Sequence, residues 1–183
     1  MSEHALILLV VAAGVVIAGA GAGIVLARRA KQKRTERLRI RFGPEYDRMV
    51  AEFGERRAQK LLEEREQRAL KIVVRPLSIE DRERFVRAWR NVQSQFVDVP
   101  GKAVMEADRL LEQLMSQRGY PVGDFEQQAS DLSVHHPHAV GNYRVARVIA
   151  DSERRGKATT EDLREAIVRY RTLYEELLER PVS

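Results

Sequence analysis

The chain has 183 residues with a formal net charge of +5, and 44% of them are hydrophobic, enough for one modest folded domain beside any membrane segment. It has no cysteine, which excludes disulfides, thiolate nucleophiles and zinc sites built on Cys. The excess of basic residues is not spread along the chain. Residues 28–41 hold eight Lys or Arg and one acid, leaving 42–183 one charge negative. A nucleic-acid-binding domain needs a basic face on the fold itself, so this distribution argues against that class.

After a short tail (residues 1–4) comes an apolar run from Ala5 to Ala27 without a charged side chain. As a helix it reaches about 34 Å, against a hydrocarbon core of about 30 Å. The sequence predicts a single transmembrane helix here. The basic flank follows the run and nothing basic precedes it, so the positive-inside bias puts the N-terminus outside and the remainder at the cytoplasmic face of the cell membrane. A cleaved secretory signal wants its positive charge first and a shorter apolar run, though small residues near Ala18 imitate a cleavage site. The rival is therefore an exported periplasmic helical domain. Within the span, Gly19 and Gly23 lie four apart, a spacing that lets two helices approach closely and offers a homodimer face. The plainer reading is that Gly and Ala are simply common in membrane helices.

Residues 28–41 form a juxtamembrane collar. Arg28, Arg29, Lys31, Lys33 and Arg34 lie nearest the span and would meet anionic lipid headgroups. Residues 42–75 read as a charged helical stalk and linker, opened by Pro44 with Glu45 and Asp47 in the first turn. Ile72-Val73-Val74 before Arg75-Pro76 reads as an extended connector.

From 76 to 183 the pattern predicts a small bundle of about five helices, so the fold class is all-α. Ser78 caps a helix carrying Phe85, Trp89, Val92 and Phe96 at core-facing spacing. Asp98-Val99-Pro100 ends it and caps the next, whose inner side is Val104, Ala107, Leu110, Leu111, Leu114 and Met115, with Gly119 as the C-terminal glycine. Asp124 caps a short helix. Ser133 to His138 reads as a turn, Pro137 as the opening of a helix through Tyr143, and Thr159 as the cap of the last helix.

Signals for chemistry are sparse. His135, His136 and His138 sit within four residues and are the weak metal candidates, but side chains so close together do not converge on one ion without special backbone. A turn with one imidazole bonded to backbone is the favoured reading, and no cofactor is expected. No nucleophile elbow or phosphate-binding glycine loop follows a strand. Asp98, Asp108, Tyr143 and Arg144 are the candidates for an interaction surface, Tyr and Arg being enriched at binding hot spots.

Gln95-Phe96-Val97-Asp98, Ala107-Asp108-Arg109-Leu110, Arg118-Gly119-Tyr120-Pro121, Asp131-Leu132-Ser133-Val134 with His136-Pro137, Tyr143-Arg144 and Thr160-Glu161-Asp162-Leu163-Arg164 together resemble an uncharacterised bacterial family of hypothetical or secreted helical proteins. The resemblance covers roughly 42–178 and implies no established activity. Its pattern has Asp where this chain has His135 and His where it has Arg147, which weakens a metal role for the histidines. The expectation is a membrane-anchored interaction or scaffolding module with an unidentified protein partner. The alternative is a small-ligand binder or enzyme with a pocket near Asp98, Asp108, His136 and Tyr143, discriminated by whether polar groups converge there.

Overall fold

The structure is a computed structural model, described here for residues 23 and 25–179. Among them it is all-helical with no strand, in agreement with the all-α expectation. The chain divides into two compact units, residues 1–40 and 41–183. No helix among the described residues is long and apolar enough to cross a membrane. The predicted span 5–27 and Gly19 lie outside the described residues, apart from Gly23 and residues 25–27, all of them exposed and helical.

The first helix, α1, is described over 25–42, and each of its eight Lys and Arg side chains between 28 and 41 is exposed. In the second unit, α2 (Pro44–Phe53) and α3 (Glu55–Ala69) form a hairpin around Gly54, whose φ of 76° is a backbone shape glycine adopts without strain. Tyr46 and Met49 of α2 meet a narrow stripe of α3 in which Ala58, Leu62 and Ala69 are buried, and Gln59 Nε2 donates to Tyr46 Oη at 3.3 Å. α3 also packs on α6, so the charged stretch read as a stalk belongs to the same compact unit as the bundle. Small residues explain the difference: Ala58 and Ala69 add little to a hydrophobic pattern yet allow close helix approach.

Five helices follow: α4 (Ile79–Asp98), α5 (Pro100–Gln117), α6 (Phe125–His135), α7 (Val140–Arg154) and α8 (Thr160–Glu179). Side-chain caps start three of them as the sequence suggests. Ser78 Oγ accepts from Asp81 N at 3.0 Å, Asp124 Oδ2 from Gln127 N at 3.1 Å, and Thr159 exchanges bonds with Asp162 in a capping box. α5 and α7 have no such cap, and α5 departs from the sequence reading. Its N-cap is Val99 with no side-chain bond, and Asp98 is an exposed last residue of α4 rather than a cap. Pro100 at the first position starts α5 without one.

The core lies where α5 meets α4 and α8, and where α8 meets α7. Trp89 stacks on Tyr174 with centroids 4.5 Å apart, and the Tyr174 hydroxyl donates to the Phe85 carbonyl at 2.8 Å. α6 runs to His135, beyond the turn expected at Ser133, and Pro137 lies in the turn before α7 rather than at its start. Residues Gln128 to Val134 are buried all round, so burial rather than amphipathic spacing holds this helix together.

The 72–78 connector is tied to the end of α5 by a backbone bond from Arg75 N to the Arg118 carbonyl at 2.8 Å, and its Ile72, Val74 and Leu77 pack against the core. Gly119 has φ 90°, and a Cβ there would sit 2.5 Å from the Val73 carbonyl oxygen. Gly119→Ala is therefore expected to destabilise by about 1–3 kcal/mol through backbone strain and displacement of the connector. Gly123→Ala, with negative φ and open space, should leave the denaturation midpoint unchanged. Equal midpoints for the two variants in urea unfolding would contradict this.

Candidate functional site

Asp108 lies on the inner side of α5, one turn after Val104 and beside Ala107 and Leu111, and is 3% exposed. A carboxylate at such a position is strongly disfavoured unless it is fully bonded. Here α7 and α8 supply the partners. The Tyr170 hydroxyl donates to Oδ1 at 2.8 Å, Arg147 Nη1 to both oxygens at 2.9 and 2.8 Å, and Arg154 Nη2 to Oδ2 at 2.7 Å. Arg147 also pairs with Glu112 at 2.9 Å, and Arg154 with Asp151. Burial raises the Tyr170 phenol above its usual range, with the charge and hydrogen bond of Asp108 adding to it. Burial works against the charge on Arg147, but Asp108 and Glu112 outweigh it and the guanidinium is held more firmly protonated than usual. The arrangement is a buried anion with its cations saturated, and it joins three helices.

A second constellation fixes the hairpin. Glu45, 3% exposed, accepts from Arg48 of its own helix at 2.8 Å and from Arg65 of α3 at 2.8 Å, while Arg144 of α7 approaches at 3.5 Å. Burial by itself would raise the Glu45 pKa, yet the three guanidiniums together lower it below the ordinary carboxylate value. Arg48 is raised in return, whereas for Arg65 burial outweighs Glu45 and the net direction is down. Arg144 also pairs with Glu126 at 2.6 Å. The two networks meet at Phe125: the Arg144 and Arg147 guanidiniums lie 6.0 and 5.5 Å from its ring centroid. Phe125 in turn packs on Tyr143 at 5.1 Å.

His136 carries the third. It is 1% exposed, with Nδ1 2.8 Å from Glu176 Oε2 and Nε2 3.2 Å from the Tyr120 hydroxyl. The His135 ring instead meets the Tyr120 ring edge-on at 5.7 Å, and His138 lies beside Gly43. His135 and His136 thus share Tyr120 as a neighbour, while His138 turns to Gly43. Among the described residues no group of three His, Cys, Asp or Glu is arranged to hold a metal ion.

Of the interaction candidates, Asp108 and Arg144 sit in the two charge networks. Tyr143 is fully buried between Phe125 and Tyr170, its hydroxyl 3.5 Å from Gln128 Oε1, and burial with the Asp108 charge raises its pKa. Asp98 is exposed at the end of α4. Asp108 bonds to Arg147, Arg154 and Tyr170, whereas the buried His136 meets Glu176 and Tyr120. Glu45, Tyr120, Arg154, Tyr170 and Glu176 escaped the sequence reading. The available hint was Glu45 and Asp108 next to residues of an apolar stripe.

Comparison with protein-family models, curated proteins and solved structures returns no match.

Removing the buried anion should cost more than removing one of its donors. Asp108→Ala is expected to lose about 2–4 kcal/mol, the cationic partners being partly exposed and able to rehydrate, and Tyr170→Phe about 1 kcal/mol. Equilibrium unfolding checks the order, and equal losses would contradict it. Glu45 makes a pH-dependent contribution. Its folded pKa is lowered, so the stabilisation is complete above the unfolded value of 4.5 and disappears as pH falls through the folded pKa. The Tm advantage of wild type over Glu45→Gln should be constant near neutrality and shrink in acid below pH 4.5. An advantage that grows in acid would refute the assignment.

Proposed function

We propose that the chain is a single-span membrane protein whose helical domain acts as an interaction or scaffolding module at the cytoplasmic face. The observation that carries this reading is the eight exposed Lys and Arg side chains of α1, which directly follow an apolar run of spanning length. Such a belt resists translocation and attracts anionic headgroups, each cation near the surface being worth about 1 kcal/mol. The unit over 41–183 adds a second support. Its Asp108 and Glu45 networks spend their charges on each other, which suits a rigid shape presented to a partner better than an acid–base site. The resemblance to an uncharacterised bacterial family is compatible with this role and contributes no activity to it. Pairing of two spans through Gly19 and Gly23 is the proposed route to a dimer.

In membrane vesicles the protein should resist alkaline carbonate extraction. Protease should degrade the helical domain only when the cytoplasmic face is accessible. Replacing Arg28, Arg29, Lys31, Lys33 and Arg34 with Glu should invert or block this orientation. A mature protein recovered soluble and lacking its first twenty-odd residues would overturn the proposal in favour of an exported domain.

A further inference from the structure

α4 turns Phe85, Trp89 and Val92 into the core, and its opposite side has a different composition. There Ile79, Arg82, Glu83, Val86, Arg87 and Arg90 line one shallow depression of about 490 Å³. Ile79 is 80% exposed and Val86 is half-buried, while Arg82, Arg87 and Arg90 are exposed. Glu83 pairs with Arg87 at 3.4 Å. Arg82 and Arg90 form no ion pair or side-chain hydrogen bond among the described residues. The depression therefore holds two cations without a counter-charge around an apolar centre.

Other helix faces with a depression are balanced from within. On α8, Arg164 pairs with Glu161, and Arg169 with Glu165 and Asn142. On α3, Lys60 faces Glu64 at 3.9 Å. The leftover charge on α4 is also strictly local. Residues 79–98 carry four Asp or Glu and four Arg, and residues 42–183 are one charge negative. Beyond a screening length of about 10 Å the excess cancels, so an extended anionic sheet such as a bilayer gains little from it. A partner whose own side chains meet the two arginines one by one gains much more.

We propose that this face of α4 docks an acidic amphipathic helix of a partner protein. Arg82, Val86 and Arg90 form a row at four-residue intervals, about 12 Å long. A helix with carboxylate, apolar and carboxylate residues at the same interval puts an acid on each unpaired guanidinium and an apolar side chain against Val86 and Ile79. Arginine suits the role because its planar fork takes a carboxylate with two hydrogen bonds. The inference rests on the interaction-module reading above and names its surface and the chemistry of its partner. Carbonate extraction and protease access decide the membrane anchor whatever happens at this face.

The test uses the full chain in nonionic detergent and a fluorescent helical peptide with Glu, Leu and Glu at four-residue intervals on one face. Arg82→Glu combined with Arg90→Glu should weaken binding about tenfold or more. Arg155→Glu with Lys157→Glu makes the same charge change on the exposed α7–α8 turn. It should leave binding within about twofold, separating this face from net charge and from the basic residues of α1. Should the first pair fold poorly, Ile79→Ser gives a second reading with no change of charge, a loss of about threefold. A peptide with Lys in place of Glu should prefer the Arg82→Glu, Arg90→Glu variant to wild type. Equal losses in the two double variants, or binding indifferent to Arg82, Arg90 and Ile79, would overturn the proposal. Protection of residues 79–90 from hydrogen exchange by phosphatidylglycerol nanodiscs and not by the peptide would overturn it in favour of a lipid contact.

Discussion

The packing of the helical unit rests on one buried carboxylate. Asp108 occupies a position that geometry assigns to the core, and the protein satisfies its two oxygens by bringing Tyr170 from α8 and Arg147 and Arg154 from α7 onto them. Apolar contacts alone would leave several rotations of α7 against α5 nearly equal in energy, because Leu and Val side chains are indifferent to direction. Directional bonds to a single buried anion remove that degeneracy. The cost is that the three helices are interdependent: each supplies a group the others need.

Glu45 repeats the device for the α2–α3 hairpin. The hairpin buries little apolar surface, with Ala58 and Ala69 among its few core residues, so its attachment leans on guanidiniums that reach Glu45 from α3 and α7. Arg144 and Arg147, one turn apart on α7, serve different carboxylates and flank the same Phe125 ring. α7 thus ties the hairpin to the core alongside α6, on which α3 packs. His136 does comparable work at the other end of α8, linking Glu176 to Tyr120 after α5.

Local chemistry was legible where it depends on near neighbours. Ser78, Asp124 and Thr159 cap the helices that follow them, Pro44 and Pro100 occupy first positions, and Gly119 closes α5. Phe85, Trp89 and Val92 are buried as their spacing requires. Asp98 was misjudged as a cap because proline makes a side-chain cap unnecessary at α5. The end of α6 was placed too early because Ser133 looks like a turn residue. Its Oγ instead donates to the Ser130 carbonyl at 2.6 Å inside the buried 128–134 part of the helix, a bond invisible to a reading of polarity.

The sequence by itself determined the helical class, most helix starts, the apolar run and the basic belt after it, because each depends on residues a few positions apart. Only the tertiary structure decided which polar residues are spent on each other. Asp108 meets Tyr170 across 62 residues and Glu45 meets Arg144 across 99, and no periodicity in a single chain encodes a partner at that distance.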